Sequence, residues 1–155
     1  MSGPSCDNLL ARIAALCESG PADAPRAIVE LLYDTLPGWD WVGWYLVDPA
    51  DPQTLVLGAY KGAATDHTRI PFGRGICGQA AAREESIVVL DVRQEENYLA
   101  CSSETRSEIV VPLWHEGRMI GQIDVDSHTV GRFTDEDRVF LEEVCRLVAG
   151  CFPPR

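Results

Sequence analysis

Residues 69 to 79 read R-I-P-F-G-R-G-I-C-G-Q, and within them the thiol of Cys77 is the group most able to do chemistry. Gly73, Gly75 and Gly78 are too closely spaced for the interior of a strand or helix, where each would weaken the element. They suit a turn that needs positive φ, or a backbone pressed against a ligand. Cys77 sits inside that turn, ahead of a short helical run from Gln79 to Arg83, where backbone N–H groups favour a thiolate. A small buried hydrophobe that happens to be cysteine fits the same position. The second reactive set is acidic. Glu108, Asp124 and Asp126 stand among strand-forming residues, and the two aspartates, two positions apart, share a strand face.

A register argument decides where Glu108 points. Ile109, Val111 and Leu113 are apolar, as are Met119, Ile123 and Val125. Burying both sets together requires 109 to face 125 and 111 to face 123, because residues directly opposite share a face. Glu108 then lies opposite Asp126, Val110 opposite Asp124, and all three carboxylates line one face. This pairing predicts a three-residue loop from Glu116 to Arg118, with Gly117 at positive φ. The acids could simply form a solvated outer face. Like charges opposite one another are unfavourable, however, so a bound cation or one protonated acid explains the cluster better. The ammonium group of an amino acid is such a cation.

These groups need a scaffold, and hydrophobic spacing supplies one. Asn8 to Ser19 predicts an amphipathic helix, and a second helix runs from Pro25 to Leu36 before Pro37-Gly38 ends it. Trp41 to Val47 and Thr54 to Tyr60 read as strands, and residues 61 to 68 as a polar loop. Ser86 to Leu90 is a further strand and Asp91 to Glu104 a second loop, holding Tyr98 and Cys101. Ile109 to Trp114 and Met119 to Asp126 form the acidic hairpin, and Thr134 caps a last helix reaching about residue 150. The order predicts one α+β domain over residues 1–155, an antiparallel sheet with helices packed on one side.

Composition narrows the function classes. With 24 acids against 13 bases the net charge is −11, which argues against nucleic acid or an anionic membrane surface as partner. The first residues, M-S-G-P-S-C-D, have neither a basic nor an apolar region of a signal peptide, and a cytoplasmic location is expected. Cys6, Cys17, Cys77, Cys101, Cys145 and Cys151 show no zinc-ligand spacing, so no metal and no cofactor are expected. Cys17, Cys145 and Cys151 fall on the apolar stripes of helices and read as packing.

The turn R-I-P-x-G-R-G-x-C-G, the stretch A-C-x-x-x-x-x-S-E-I-V-x-P-L at 100 to 113, and G-x-x-D-x-D-S with G-R-F-T-D-E-D at 121 to 137 resemble the free methionine-(R)-sulfoxide reductases. These are small stand-alone enzymes of the GAF fold. The resemblance implies that Cys101 attacks the sulfur of free methionine-R-sulfoxide, releasing methionine and leaving a sulfenic acid. It implies that Cys77 resolves this to a disulfide, which a thioredoxin-type donor reduces. Glu108, Asp124 and Asp126 would hold the substrate ammonium and supply the proton without which the sulfoxide oxygen cannot leave as water. Trp44 and Tyr45 would wall the methyl-sulfur end, although either fits a plain core position. The implied partners are free methionine sulfoxide, the thioredoxin-type reductant and, as an oligomeric option, a second copy in a homodimer. The chain departs from the family at His67, where a third cysteine is common two residues before the R-I-P arginine. His67 reads either as a group that lowers the pKa of Cys101 or as a solvated bystander.

The same fold also suits a non-catalytic GAF module that binds a small molecule, or a thiol redox sensor. Turnover separates them, since only an enzyme consumes an excess of free sulfoxide in the presence of a dithiol.

Overall fold

The computed structural model describes residues 5–99 and 102–153. The chain opens with helices α1 (Cys6–Ser19) and α2 (Ala24–Thr35). Ser5 starts α1 by accepting a hydrogen bond from the Asn8 N–H at 3.2 Å, and Pro25 occupies the first turn of α2. Strands β1 (Trp41–Asp48) and β2 (Asp51–Lys61) follow, then β3 (Arg69–Pro71), α3 (Gly75–Arg83) and β4 (Ile87–Val89). The acidic hairpin is β5 (Ser107–His115) and β6 (Arg118–Ser127), and α4 (Asp135–Val148) closes the order behind a Thr134/Asp137 capping box.

All strand pairs are antiparallel, in the order β3-β2-β1-β6-β5-β4. The expected α+β architecture with an antiparallel sheet is the one observed, except that one helix, α3, packs on the face opposite the other three. Ile13, Ile28, Leu32, Leu141 and Val144 from α1, α2 and α4 pack against Val42, Trp44, Ile109, Val111, Ile123 and Val125 on one face of the sheet. Period-two alternation sends Trp41, Tyr45 and Val110 to the other face, where Ile76, Cys77, Ala80 and Ala81 of α3 cover them. The central hairpin thus has a layer on each side, and the second layer is where the reactive groups meet. Among the described residues no helix is long and apolar enough to cross a membrane.

Three local features differ from the reading of the sequence. Arg69 to Pro71 is not part of the glycine turn but a short edge strand pairing with residues Thr54 to Val56. Proline is tolerated there because the edge asks for no further ladder bond. The helix begins at Gly75 rather than Gln79, so Cys77 lies within its first turn. Gly73 donates its N–H to the Gly78 carbonyl at 2.7 Å, and Gly78 comes so close to Pro71 that a Cβ would lie 2.6 Å from the proline carbonyl oxygen. Only glycine allows that approach.

The third difference is the hairpin loop. The pairs Glu108↔Asp126, Ile109↔Val125, Val110↔Asp124 and Val111↔Ile123 are as expected. The tip is a two-residue turn instead of three, since His115 pairs with Arg118, and Glu116 and Gly117 have φ of 53° and 75°. Such positive φ values at both central residues are the requirement of a type I′ turn, whose twist matches the strands it joins. A register shift beyond Leu113↔Gly121 leaves Ile120 as an extra residue on β6. This bulge absorbs the missing loop residue and keeps the apolar sets together.

Glu116 is held at left-handed φ with no glycine flexibility, and asparagine tolerates that region better. Glu116→Asn is expected to raise stability by up to about 1 kcal/mol, part of the ~1–2 that left-handed φ costs an ordinary residue. A urea unfolding midpoint that stays put or falls would count against a strained tip.

Candidate active site

Glu108, Asp124 and Asp126 are at most 3% exposed. They are therefore not a solvated outer face but a buried carboxyl cluster beneath α3. β5 and β6 present them side by side, and the first turn of α3 brings Cys77 down onto them. The Cys77 thiol donates to Glu108 Oε2 at 3.9 Å, and Gln122 donates its amide N–H to the Cys77 carbonyl at 3.2 Å. His67, Ile70, Cys77, Leu99, Glu108 and Asp124 surround a cavity of about 10 Å³, room for roughly one water. Wider grooves are open and shallow. One of about 540 Å³ runs past Trp114, Arg138 and Glu142, whose charged members already pair at 2.7 Å.

Burial pushes Glu108 well above the usual carboxylate range, and the neighbouring charges of Asp124 and Asp126 push it further. Its hydrogen bonds to both aspartates also favour the protonated form. Asp124 is raised by burial too, but hydrogen bonds from Glu108, Cys77 and Asp126 pull back against that rise. Burial raises both groups, and for Glu108 every neighbouring carboxyl acts in the same direction, which favours a proton on the cluster.

Aromatic rings close one side. Tyr45 lies on the acid face and donates its hydroxyl to the His67 carbonyl at 2.8 Å. Trp44, read from the sequence as a second wall, points the other way. It is buried against the helices, with its indole N–H donating to the Pro25 carbonyl at 2.9 Å. Alternation along β1 gives that place to Trp41, opposite Asp126 and stacked on Tyr45 and Tyr60 with centroids 6.3 and 5.3 Å away. Gly43 makes the stacking possible, since a Cβ there would lie 2.4 Å from the Trp41 ring. The W-V-G-W-Y alternation carried this signal, because residues 41, 43 and 45 must share a face.

Cys101 lies outside the described residues. The chain leading to it does cross the cavity, and Asn97 fastens it there. Asn97 Oδ1 accepts the Gly75 N–H at 2.8 Å, its amide donates to the Gly73 carbonyl at 2.7 Å, and its own carbonyl accepts from Gln79 at 3.0 Å. Its side chain satisfies an otherwise orphaned N–H at the start of α3. Leu99 then packs against Gly75 and lines the cavity. His67 is half-buried in the cavity wall rather than a solvated bystander.

The helical cysteines are elsewhere. Cys145 is in the core under α4, 3.9 Å from the Val111 carbonyl, and burial holds its thiol far above the ordinary range. Cys17 and Cys151 meet where α1 passes the C-terminal turn, and burial with the adjacent Cys151 pushes Cys17 up to about 12. Neither Cys17 nor Cys145 is a nucleophile at neutral pH.

A sheet with a thiol-bearing helix on one face and long helices on the other is the architecture of a GAF domain, and the family model described as "GAF domain" matches residues 19–151. The free methionine-R-sulfoxide reductase of Escherichia coli K12 is 42% identical over 114 residues, 74% of this chain and 67% of that protein. Its namesake in Saccharomyces cerevisiae is 37% identical over 110 residues, 70% of this chain and 61% of that one, so the match spans under two thirds of the yeast protein. The free methionine-R-sulfoxide reductase of Neisseria meningitidis, solved in complex with its substrate, superposes with a TM-score of 0.88 at 38% identity, covering 95% of this chain and 87% of that chain. The chain belongs to the free methionine-R-sulfoxide reductases, an oxidoreductase family built on the GAF domain.

Two outcomes follow from this geometry. A carboxyl whose folded pKa exceeds its unfolded one stabilises the fold fully below the unfolded value, about 4.3 for glutamate, and that stability is lost as pH rises towards the folded value. Glu108→Gln keeps a neutral donor in place and is expected to flatten this fall, so its advantage over the wild type grows from pH 4.3 upward in urea unfolding. Parallel pH profiles for the two proteins would place the proton elsewhere. Asn97→Ala removes two hydrogen bonds and is expected to loosen the strap by about 1–3 kcal/mol. Faster hydrogen exchange at the Gly75 amide is the measurement, and unchanged protection would mean that Asn97 fastens nothing.

Proposed function

We propose that this chain reduces free L-methionine-(R)-sulfoxide to methionine, with Cys101 as nucleophile and Cys77 as resolving thiol. The observation that carries the reading is the buried Cys77–Glu108–Asp124–Asp126 constellation, in which burial and the neighbouring acids push Glu108 towards its protonated form. Sulfoxide oxygen is a poor leaving group until protonated, so a neutral carboxyl beside the sulfur is the required acid. Protonation makes the sulfur electrophilic. The Cys101 thiolate attacks it, the S–O oxygen passes to cysteine as a sulfenic acid, and methionine departs with the electron pair. The Cys77 thiol then displaces hydroxide from that sulfenic acid, giving a Cys77–Cys101 disulfide and water. A thioredoxin-type dithiol returns both sulfurs to thiols, so each cycle consumes one sulfoxide and one dithiol.

Asp124 and Asp126 are the anions for the substrate ammonium, and Tyr45 with Trp41 supports the apolar side of the pocket. The enclosed pocket favours a free amino acid, since a continuing peptide chain would have to pass the strap at Asn97 and Leu99. His67 stands where relatives commonly have a further cysteine, which leaves resolution to Cys77.

Cys101→Ser is expected to abolish sulfoxide reduction, by at least about a thousandfold given the cost of losing a nucleophile, while far-UV circular dichroism stays unchanged. Cys17→Ala and Cys145→Ala should retain turnover. Peptide mapping after one equivalent of substrate should recover the Cys77–Cys101 disulfide. A persistent sulfenic acid, or only a mixed disulfide with added thiol, would make Cys77 structural. Consumption of no more than one sulfoxide per chain in excess dithiol would favour a sensor over an enzyme.

A further inference from the structure

We propose that Cys77, Glu108 and Asp124 form a site for a thiophilic divalent cation, best matched by Zn²⁺, whose binding shuts the substrate pocket. The three side chains each offer one ligand atom, all lying within 4.8 Å of one another, and all three are buried. A tetrahedral ion with Zn–S of about 2.3 Å and Zn–O of about 2.1 Å sets sulfur and oxygen roughly 3.6 Å apart. The observed Cys77 Sγ to Glu108 Oε2 separation is 3.9 Å. For that pair a shift of a few tenths of an ångström reaches metal-bound spacing, and the Asp124 oxygen lies within 4.8 Å of both.

The donor set selects the ion. One thiolate with two carboxylates is too soft for Mg²⁺ or Ca²⁺, which prefer all-oxygen shells, and suits Zn²⁺ well. The electrostatics agree. Glu108, Asp124 and Asp126 put three acids together away from water, a charge density that a divalent cation would offset. Gln122 adds an independent sign. It is 1% exposed, its amide N–H reaches Cys77, and its Oε1 has no hydrogen-bond donor among the described residues. Gln122 lies on the same strand face as Asp124 and reaches the Cys77 backbone, which leaves that buried oxygen available to the ion or to a water on it. The cavity of about 10 Å³ is the size of one small occupant.

The inhibitory consequence rests on the proposed function, because a metal on Glu108 and Asp124 takes the acid and an ammonium anchor at once. Metal binding itself does not rest on it. The probe is Co²⁺ added to the reduced, chelator-treated chain, followed by Zn²⁺. One equivalent of Co²⁺ should give a near-ultraviolet thiolate-to-cobalt band that Zn²⁺ abolishes. The band should vanish in Cys77→Ser and weaken at least tenfold in apparent affinity in Glu108→Gln. It should persist in Cys101→Ser and in the Cys17→Ala/Cys151→Ala double variant. In the wild-type chain, Zn²⁺ should slow alkylation of Cys77 as read by mass spectrometry, a check that needs no variant to fold. Micromolar Zn²⁺ should raise the apparent KM for sulfoxide, with recovery on chelation.

Absence of the band, or its loss with Cys101 or with the Cys17/Cys151 pair but not with Cys77, would overturn the site. A band in a chain without sulfoxide reductase activity would keep the metal site and sink the proposed function. Activity in the metal-free chain without a band would do the reverse.

Discussion

Burying three carboxyl groups on one face of a sheet is the constraint to which the rest of this structure answers. Three neighbouring charges away from water would repel one another and lose their hydration, so the cluster is tolerable only with a shared proton and mutual hydrogen bonds. The pairing of β5 with β6 brings Glu108 level with Asp126 and next to Asp124, close enough for that sharing. Each apolar pair between them, Ile109 with Val125 and Val111 with Ile123, anchors the register from the opposite face. A slip by one residue would put acids into the helix-packed core and isoleucines under α3. The hydrophobic layer and the acidic pocket are therefore two sides of a single register. The bulge at Ile120 separates that register from the turn, so the hairpin tip keeps its preferred geometry without disturbing the acids.

The cysteines illustrate how environment assigns chemistry to identical side chains. Burial is the main cause that keeps Cys145 and Cys17 protonated, with Glu142 adding to it for the first and Cys151 for the second. Cys77 is as buried as Cys145 but lies within the first turn of a helix, beside Glu108, with its carbonyl accepting from Gln122. Its neighbours can move protons. On the other flank, Gly43 lacks a side chain, so that Trp41, opposite Asp126, can lie across β1 and stack on Tyr60.

Most of the scaffold was legible because it follows from periodicity. The helices and the acidic register come from apolar spacing, and Glu108 facing Asp126 needs only the rule that opposite residues share a face. What escaped was set by contacts distant in the chain. Arg69 to Pro71 is too short to show alternation, and only the edge of β2 makes it a strand. Trp44 and Trp41 are both plausible walls until alternation is applied strictly to β1. The two-residue hairpin turn was hidden by Glu116, an unusual residue at left-handed φ. Asn97 reads as one polar residue in a polar loop, and its bonds to Gly73 and Gly75 span more than twenty positions.

The cavity under the strap is smaller than any amino acid. A ligand the size of an amino acid would therefore enter only if the segment held by Asn97 lifted. Apparent affinity is then the intrinsic affinity multiplied by the open fraction, and each 1.4 kcal/mol of latch strength weakens binding about tenfold. The same closure keeps bulk water from the carboxyl cluster between visits. Strap strength thus acts as a dial between access and dryness, set by one amide side chain lying well away from the acids.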